Sequence, residues 1–327
     1  MSTHIPRESW ERGTNFLGTR YAILGGAMSW LSESRLVSAI SEAGGFGVIA
    51  SGNMPPELFR KEIQKTRELT DKPFGVNLIT MNPELPELVQ VTLDEKVGHC
   101  VLAGGVPDPG SVKKLKDAGI KVILFAPSLA FAKRLVRRGA DALVIEGNEA
   151  GGHVGPVATG VLVQEILHGI EGVPVFVAGG IANGKMVASL VGLGAAGCQL
   201  GTRFVCTDEC IAHEKFKKAF IRAQSREAVV TAQFDPALPV IPVRALVNKG
   251  TEAFNKLQLE MVAEVKSGRM ERHAAQLELE KFWVGALKKA AIDGDIENGS
   301  VMAGQSVGLI KSVQPVSEVM ADLVSWL

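Results

Sequence analysis

Eight short apolar runs within the first 200 residues constrain the fold of this chain more than any other feature of the sequence. A strand buried on both faces of a parallel sheet reads as a continuous run of Val, Ile, Leu and Ala, because neither face meets water. The stretches between the runs have helical periodicity, and several end at a glycine before the next run. The runs lie at residues 21–24, 47–50, 75–79, 100–103, 122–125, 142–145, 173–178 and 197–200.

Eight strand–helix units predict an α/β fold of the closed (β/α)8 (TIM) barrel type, which this length accommodates. A doubly wound open sheet is the main alternative, and the absence of G-x-G-x-x-G after the first run weighs against it. We expect the barrel core at 14–206, a mostly helical lobe over the barrel mouth at 207–298, and a segment returning to the barrel at 299–327. The first predicted helix after a strand, 33–43, has Ser32 as its expected N-cap.

The charge balance limits the classes of partner. Lys plus Arg number 35 and Asp plus Glu number 35. The chain therefore lacks the excess of basic residues that favours binding to nucleic acid or to an anionic membrane. No run of 18 apolar residues and no apolar signal segment occurs, which favours a soluble, cytoplasmic protein. The four cysteines form no metal-binding pattern, so we expect free thiols and no metal site.

Two glycine-bearing turns indicate an anionic ligand. Barrel active sites lie at the carboxyl ends of the strands, and phosphates often bind after strands 7 and 8. The turns at 178–184 and 199–202 stand at those two positions. Gly180 leaves no Cβ in the way, Gly184 precedes a helix whose dipole favours an anion, and Thr202 adds a hydroxyl. The alternative is that these glycines only make tight turns; their occurrence at both strands favours the ligand.

His153 is the candidate acid–base residue. Of the six histidines it alone follows two glycines in a loop at the predicted catalytic face, and imidazole exchanges protons near neutral pH. Glu146 and Glu149 in the same loop are either paired carboxylates for acid–base work or, as we favour, a ligand contact and a loop-structuring residue. The residues alone therefore predict a barrel with a phosphate-bearing ligand and one candidate acid–base histidine.

Six motifs carry a resemblance to a known family over nearly the whole chain. They are GGAMSW at 25–30, DKPFGVN at 71–77, EAGGH at 149–153, AGGI at 178–181, QLGTRF at 199–204 and GSVMAGQ at 299–305. With them the sequence resembles the nitronate monooxygenase (2-nitropropane dioxygenase) family, which includes the flavin-dependent enoyl-acyl-carrier-protein reductases. Glu146 stands where many nitronate monooxygenases carry Gln, and the run 145–155 looks closer to the reductases, whereas 234–244 departs from the reductase pattern.

The resemblance implies an FMN-dependent oxidoreductase in which His153 matches the catalytic histidine. The residues that it implies for FMN binding are Gly25, Gly26, Ala27, Met28, Asn77, Glu146, Gly151, Gly179, Gly180, Gln199, Leu200, Gly201 and Thr202.

Two reactions follow from the resemblance. Oxidation of alkyl nitronates by O2 is the first expectation, because that activity covers the family most broadly. Reduction by NAD(P)H of an enone, a quinone or an acyl thioester is the alternative. Either way the partner is a small-molecule substrate, and a homodimer is compatible with the sequence.

Overall fold

The computed structural model describes residues 7–52 and 54–327. Eight strands occur at the eight predicted positions, and their ends differ from the predicted ones by at most two residues. They are β1 (Ile23–Gly25), β2 (Gly47–Ala50), β3 (Phe74–Ile79), β4 (His99–Ala103), β5 (Lys121–Phe125), β6 (Ala142–Glu146), β7 (Val175–Ala178) and β8 (Gly197–Leu200).

The strands form one parallel sheet that closes on itself. Its order is β1-β8-β7-β6-β5-β4-β3-β2, and all its pairings are parallel. The two end strands also meet, since Leu24 bridges Phe46 and the Gly25 amide donates to the Phe46 carbonyl at 2.9 Å. The predicted (β/α)8 barrel is confirmed.

Each strand is buried on both faces, as its apolar composition predicts. Alternate residues such as Leu24, Val48 and Phe176 form one cluster inside the barrel, whereas their neighbours face the surrounding helices in a second, larger cluster. The amino-terminal helix α1 (Arg7–Leu17) closes the bottom of the barrel. Its Phe16 packs against the inner cluster and lies 5.2 Å from the His99 ring, centroid to centroid.

Helices surround the barrel and continue beyond it. They are α2 (Ser34–Glu42), α3 (Pro56–Leu69), α4 (Leu85–Asp94), α5 (Pro109–Asp117), α6 (Leu129–Arg137), α7 (Thr159–Ile166), α8 (Gly184–Gly192), α9 (Thr202–Val205), α10 (Glu214–Arg222), α11 (Lys249–Lys266), α12 (Arg272–Ala291) and α13 (Val316–Val324). Short 3-10 turns of three residues lie at Leu167–Gly169 and Ser225–Glu227, and a turn of five residues lies at Gln305–Leu309. No helix in the described ranges has the length and apolar character needed to cross a membrane.

The predicted N-cap of α2 was wrong. Glu33, not Ser32, occupies that position, and its carboxylate accepts from the amides of Leu36 and Arg35. The Ser32 hydroxyl is instead used one turn earlier, where it accepts from the Met28 amide at 2.9 Å and donates to the Gly26 carbonyl at 3.1 Å. Glutamate can replace a short cap here because its longer side chain reaches the same free amides.

The chain after the barrel combines helices with a small antiparallel sheet that the sequence did not predict. The central strand Val243–Leu246 pairs with Ala228–Val230, with Val301–Met302 and with Gly152–His153. Helices α11 and α12 pack together through Phe254 and Trp283, whose ring centroids are 4.1 Å apart. These residues belong to a separate small apolar core.

The last helix, α13, packs against α8 and α2 of the barrel. Its apolar side chains Val316, Val319, Met320 and Leu323 are buried. The amide of Val316 donates to the Glu209 carboxylate at 2.9 Å, which fixes the start of this helix.

Candidate active site

The two predicted glycine turns lie side by side at the carboxyl ends of β7 and β8. The register pairs Ala178 with Gln199, the residues that lead into the turns. Gly179 and Gly180 have φ of +93° and +74°, a left-handed conformation that favours glycine. A Cβ on Gly179 would also lie 2.8 Å from the Gly147 carbonyl oxygen. Both conformation and space therefore require glycine at this turn.

Backbone donors at these turns are free. Within the described part of the chain, the amides of Gly180, Ile181 and Gly201 donate no backbone hydrogen bond. The short helix α9 begins directly after Gly201. Unpaired amides at a helix start, beside a second turn with unpaired amides, suit a phosphate.

The helix after Gly184 contributes less than predicted. The amide of Met186 in its first turn is taken by the Asn183 side chain at 3.1 Å. A Cβ on Gly184 would lie 2.3 Å from the Asp322 carbonyl oxygen, so this end of α8 lies against α13. The start of α8 is therefore less open to an anion than the sequence predicts, whereas the amides of Gly180 and Gly201 remain without a backbone partner.

A third segment, 303–305, joins the turn after β8 to the loop after β6. The Gly304 amide donates to the Thr202 hydroxyl at 3.0 Å, and the Gln305 amide donates to the Glu149 carbonyl at 2.8 Å. A Cβ on Gly151 would lie 2.5 Å from the Gly304 nitrogen. Glycines at 151 and 304 therefore allow two backbones to meet beside Thr202.

The loop after β1 lies across the end of β8. The Gly26 amide donates to the Leu200 carbonyl at 2.8 Å, and a Cβ on Gly26 would lie 3.3 Å from Gln199 Cγ. Met28 approaches the same turn, because its sulfur would be 3.5 Å from a Cβ on Gly201.

The remaining members of this predicted loop are equally confined. A Cβ on Gly25 would lie 2.5 Å from Ile40 Cδ1, and Ala27 packs against the inner barrel cluster. Trp30 has φ of +69°, an uncommon conformation for a bulky residue. Its indole Nε1 donates to the Val284 carbonyl of α12 at 3.1 Å.

Glu146 and Asn77 add polar groups at the carboxyl ends of β6 and β3. Asn77 is 5% exposed, and its Nδ2 donates to the Val101 carbonyl at 3.4 Å. The Glu146 carboxyl has no hydrogen-bond or ionic partner among the described residues. Burial raises its pKa to about 8, because a charge there would lose its hydration. A neutral carboxyl group, able to donate a hydrogen bond, therefore stands at the end of β6 at neutral pH.

Glu149 structures the loop after β6, as predicted. Its carboxylate accepts from the Thr159 amide and from the Thr159 hydroxyl, each at 2.9 Å. Arg244 holds the same loop from the small sheet, since its Nε donates to the Asn148 carbonyl at 2.9 Å. Burial lowers the pKa of Arg244.

His153 lies in the two-residue strand that pairs with Val243. The described structure therefore places it at the carboxyl end of the barrel, against the small sheet. Its ring Nε2 lies 3.0 Å from Glu280 Oε2 of α12, with side chains 42% and 30% exposed. The sequence offered no signal for Glu280, which is far along the chain on an ordinary charged helix.

Cysteine plays no visible part in the site. All four cysteines, Cys100, Cys198, Cys206 and Cys210, are unpaired and buried, and burial raises the pKa of each thiol. Thiols held in the protonated form are poor nucleophiles.

The fold is that of a (β/α)8 barrel, and the comparisons with known proteins identify its family as one of oxidoreductases. The family model described as nitronate monooxygenase matches residues 11–89 and 85–325. The chain belongs to the nitronate monooxygenase family, a family of flavin enzymes, and the resemblance found in the sequence is confirmed.

Relatives within this family carry different names. A dehydrogenase of Mycobacterium tuberculosis, named for a 5-hydroxy-7a-methyl-1-oxo-octahydro-1H-indene-4-carboxyl-CoA, is 30% identical over 95% of this chain and 94% of its own length. A probable nitronate monooxygenase of Staphylococcus aureus is 28% identical over 97% of each chain.

Solved structures give the same division. FabK from Thermotoga maritima is 39% identical with a TM-score of 0.84, covering 96% of this chain and 95% of that one. A nitroalkane oxidase from Streptomyces ansochromogenes is 26% identical with a TM-score of 0.77, covering 94% and 96%. The family is therefore fixed, whereas its members differ in reaction.

Proposed function

We propose that the two glycine turns bind the phosphate of FMN and that the loop 25–28 lies against its ring. The free amides of Gly180 and Gly201 in adjacent turns support this assignment, as does the unpartnered carboxyl of Glu146. FMN bound there would supply reversible two-electron chemistry, which no side chain of the site offers. The proposed FMN contacts are Gly25, Gly26, Ala27, Met28, Asn77, Glu146, Gly151, Gly179, Gly180, Gln199, Leu200, Gly201 and Thr202.

We infer that the reaction is reduction of the double bond of an α,β-unsaturated acyl thioester by NAD(P)H. The observation that carries this inference is a set of exposed apolar side chains on the segments that leave the carboxyl ends of the barrel. Met81 after β3 is 49% exposed and Val106 after β4 is 53% exposed. An acyl chain lying over these two segments would remove their apolar surface from water, which is favourable, whereas a small nitronate offers no such chain.

One relative supports the thioester by its name, and the overall similarity favours the reductase branch. The M. tuberculosis dehydrogenase is named for a carboxyl-CoA compound, and the chain is more similar to FabK than to the nitroalkane oxidase structure. We therefore place reduction ahead of the monooxygenase reaction that the sequence alone favoured.

The reaction consumes one NAD(P)H and one proton for each double bond. We propose that His153 holds or delivers that proton, because imidazole can do so near neutral pH and the side chain is accessible. Glu146, neutral below pH about 8, would donate a hydrogen bond to the bound FMN without placing a charge beside it.

We also propose that residues 207–298 form the lobe over the barrel mouth, that 14–206 are the FMN-binding core, and that 299–327 return to it.

Oxidation of an alkyl nitronate by O2 is the second candidate. It is favoured by the similarity to the probable nitronate monooxygenase of S. aureus and to the nitroalkane oxidase structure. In that reaction His153 would hold the nitro group or accept a proton from the substrate, and NAD(P)H would not be needed.

Anaerobic rapid mixing separates the two reactions. We expect NADH or NADPH alone to bleach the flavin absorbance and a 2-enoyl-CoA to restore it. Bleaching by a nitronate but not by either nicotinamide would overturn the thioester assignment and establish the second candidate.

Chain length tests the apolar side chains. Each added methylene that is fully buried is worth up to about 0.8 kcal/mol, or about fourfold in kcat/KM. We expect kcat/KM to rise from crotonyl-CoA to longer 2-enoyl-CoA substrates, and V106S to reduce that rise. V161S is the matched control, because Val161 is 54% exposed on α7, outside the proposed contact. Equal effects of the two substitutions would contradict a role for Val106.

A further inference from the structure

The pair formed by His153 and Glu280 joins the loop after β6 to helix α12. His153 Nε2 and Glu280 Oε2 are 3.0 Å apart, within hydrogen-bonding distance. Both side chains remain partly exposed, so neither is shut away in the core. This contact is the observation from which the inference starts.

Helix α12 holds Glu280 at a fixed place. The preceding residue, Leu279, is 1% exposed and Trp283 is 2% exposed, and both pack in the small core of the lobe. One turn beyond Glu280, the Val284 carbonyl accepts the hydrogen bond from Trp30. The helix is therefore fixed from both sides near Glu280.

The backbone of His153 is also fixed. It pairs with Val243 in the small sheet, and the next amide, that of Val154, donates to the Pro242 carbonyl at 2.9 Å. The imidazole ring can still rotate about its two side-chain torsions. Among the described residues, Glu280 makes the polar contact to the ring, so it is placed to set the ring's orientation.

We propose that Glu280 is a positioning residue that acts through His153. Its carboxylate accepts the hydrogen of Nε2, which selects the Nε2–H tautomer of the neutral ring and leaves Nδ1 as the atom that exchanges the proton. A carboxylate paired with one ring nitrogen fixes the tautomer and the ring plane in this way. The catalytic part of this inference rests on the proposed function, whereas the tautomer does not.

Nitrogen-15 NMR of histidine-labelled flavin-loaded protein tests the tautomer directly. The His153 signals are identified by their loss in H153A. We expect the Nε2–H pattern in the unmodified protein and in E280Q, whose amide oxygen still accepts a hydrogen bond. E280A should show a mixture of tautomers. An unchanged Nε2–H pattern in E280A would overturn the proposal, and E280M, which also lacks an acceptor, gives the same test if E280A does not fold.

Steady-state kinetics test the consequence for turnover. We expect E280A to lower kcat about 10-fold to 100-fold with little change in KM, because misplacing a reacting group by about 1 Å has effects of that size. E280Q should restore most of this loss. E278A is the matched control, since Glu278 lies on the same helix and pairs with Lys281 at 2.6 Å.

A double substitution separates positioning from a general effect on α12. In the H153A background, E280A should cause no further loss of kcat, because its partner is gone. An additional loss equal to that seen in the unmodified protein would overturn action through His153. The tautomer and the reaction are tested separately. If E280A changes the tautomer as expected but the protein neither reduces thioesters with NAD(P)H nor oxidises nitronates, the positioning role is supported and the proposed function is refuted.

Discussion

Replacing Gly180 with alanine tests the proposed binding of phosphate at the turn after β7, and Gly119 offers a control with nearly the same backbone. Gly180 has φ of +74° and Gly119 has φ of +77°. A left-handed conformation costs a residue with a Cβ about 1–2 kcal/mol, so each substitution should lower the free energy of unfolding of the apoprotein by about that amount. Gly119 follows α5 at the opposite end of the barrel, and a Cβ there would meet nothing within 4 Å.

The two substitutions should differ in their effect on FMN. A Cβ on Gly180 would lie 3.3 Å from Glu149 Cβ, so the turn must shift by a few tenths of an ångström. That shift weakens the hydrogen bond that we propose between the Gly180 amide and the phosphate. A hydrogen bond to a charged group contributes about 1.5–3 kcal/mol, which corresponds to an increase of about 10-fold to 150-fold in the FMN dissociation constant.

The measurement is a fluorescence titration of each apoprotein with FMN, together with urea denaturation of the same apoproteins. We expect similar losses of stability in G180A and G119A and a weaker FMN affinity in G180A alone. If both variants bind FMN as tightly as the unmodified protein, the phosphate does not use the turn after β7, and the assignment built on its free amides is refuted.

Three further outcomes are expected. H153A should keep FMN, seen in its absorbance spectrum, and lose about 100-fold or more in kcat; an unchanged kcat/KM would refute a catalytic role. The FMN affinity of the unmodified protein should fall as pH rises through about 8, where Glu146 loses its proton, and E146Q should show no such fall in the same titration. His99, whose pKa burial lowers to about 4, is neutral in the folded state and takes up a proton near pH 6.5 when unfolded. The contribution of neutral His99 to the free energy of unfolding is therefore fully present above pH 6.5, and that free energy falls by about 3 kcal/mol as pH drops to 4. Urea denaturation at pH 7.5 and 4.5 measures this difference, and H99Q should reduce it.

The strands could be predicted because both faces of each strand are buried. Burial inside and outside the barrel leaves continuous apolar runs, and β2 and β8 even have their predicted ends. The predicted start of β7, residue 173, was two residues early. The strand begins only after Pro174, which has no backbone amide to donate a hydrogen bond to a neighbouring strand. Helices α4 and α7 were among those not predicted, and a glycine in the first turn of α7 lowers its helical propensity.

The small sheet and the histidine partner were beyond sequence reasoning for a different reason. A two-residue strand such as Gly152–His153 has no periodicity, and it forms only because Val243 lies opposite it. Glu280 resembles any solvated helix carboxylate until the folded chain brings α12 to the loop after β6. The pattern of residues within one helix or strand predicts which of its faces is buried. These contacts instead depend on segments that are distant in the sequence and meet only in the folded protein.

The barrel and the segments packed on it have separate roles in this site. The free amides of the two glycine turns belong to the barrel, and relatives with different names share that barrel fold, so the fold alone does not select the reaction. The segments beyond the barrel supply Glu280 to His153 and the Val284 carbonyl to Trp30, and both contacts come from adjacent turns of α12. A change of one residue on that helix can therefore alter the orientation of the proposed proton carrier without disturbing the two glycine turns. We accordingly expect differences in reaction among these relatives to follow the residue at the position of Glu280, whose side chain makes the contact, rather than the glycines of the barrel.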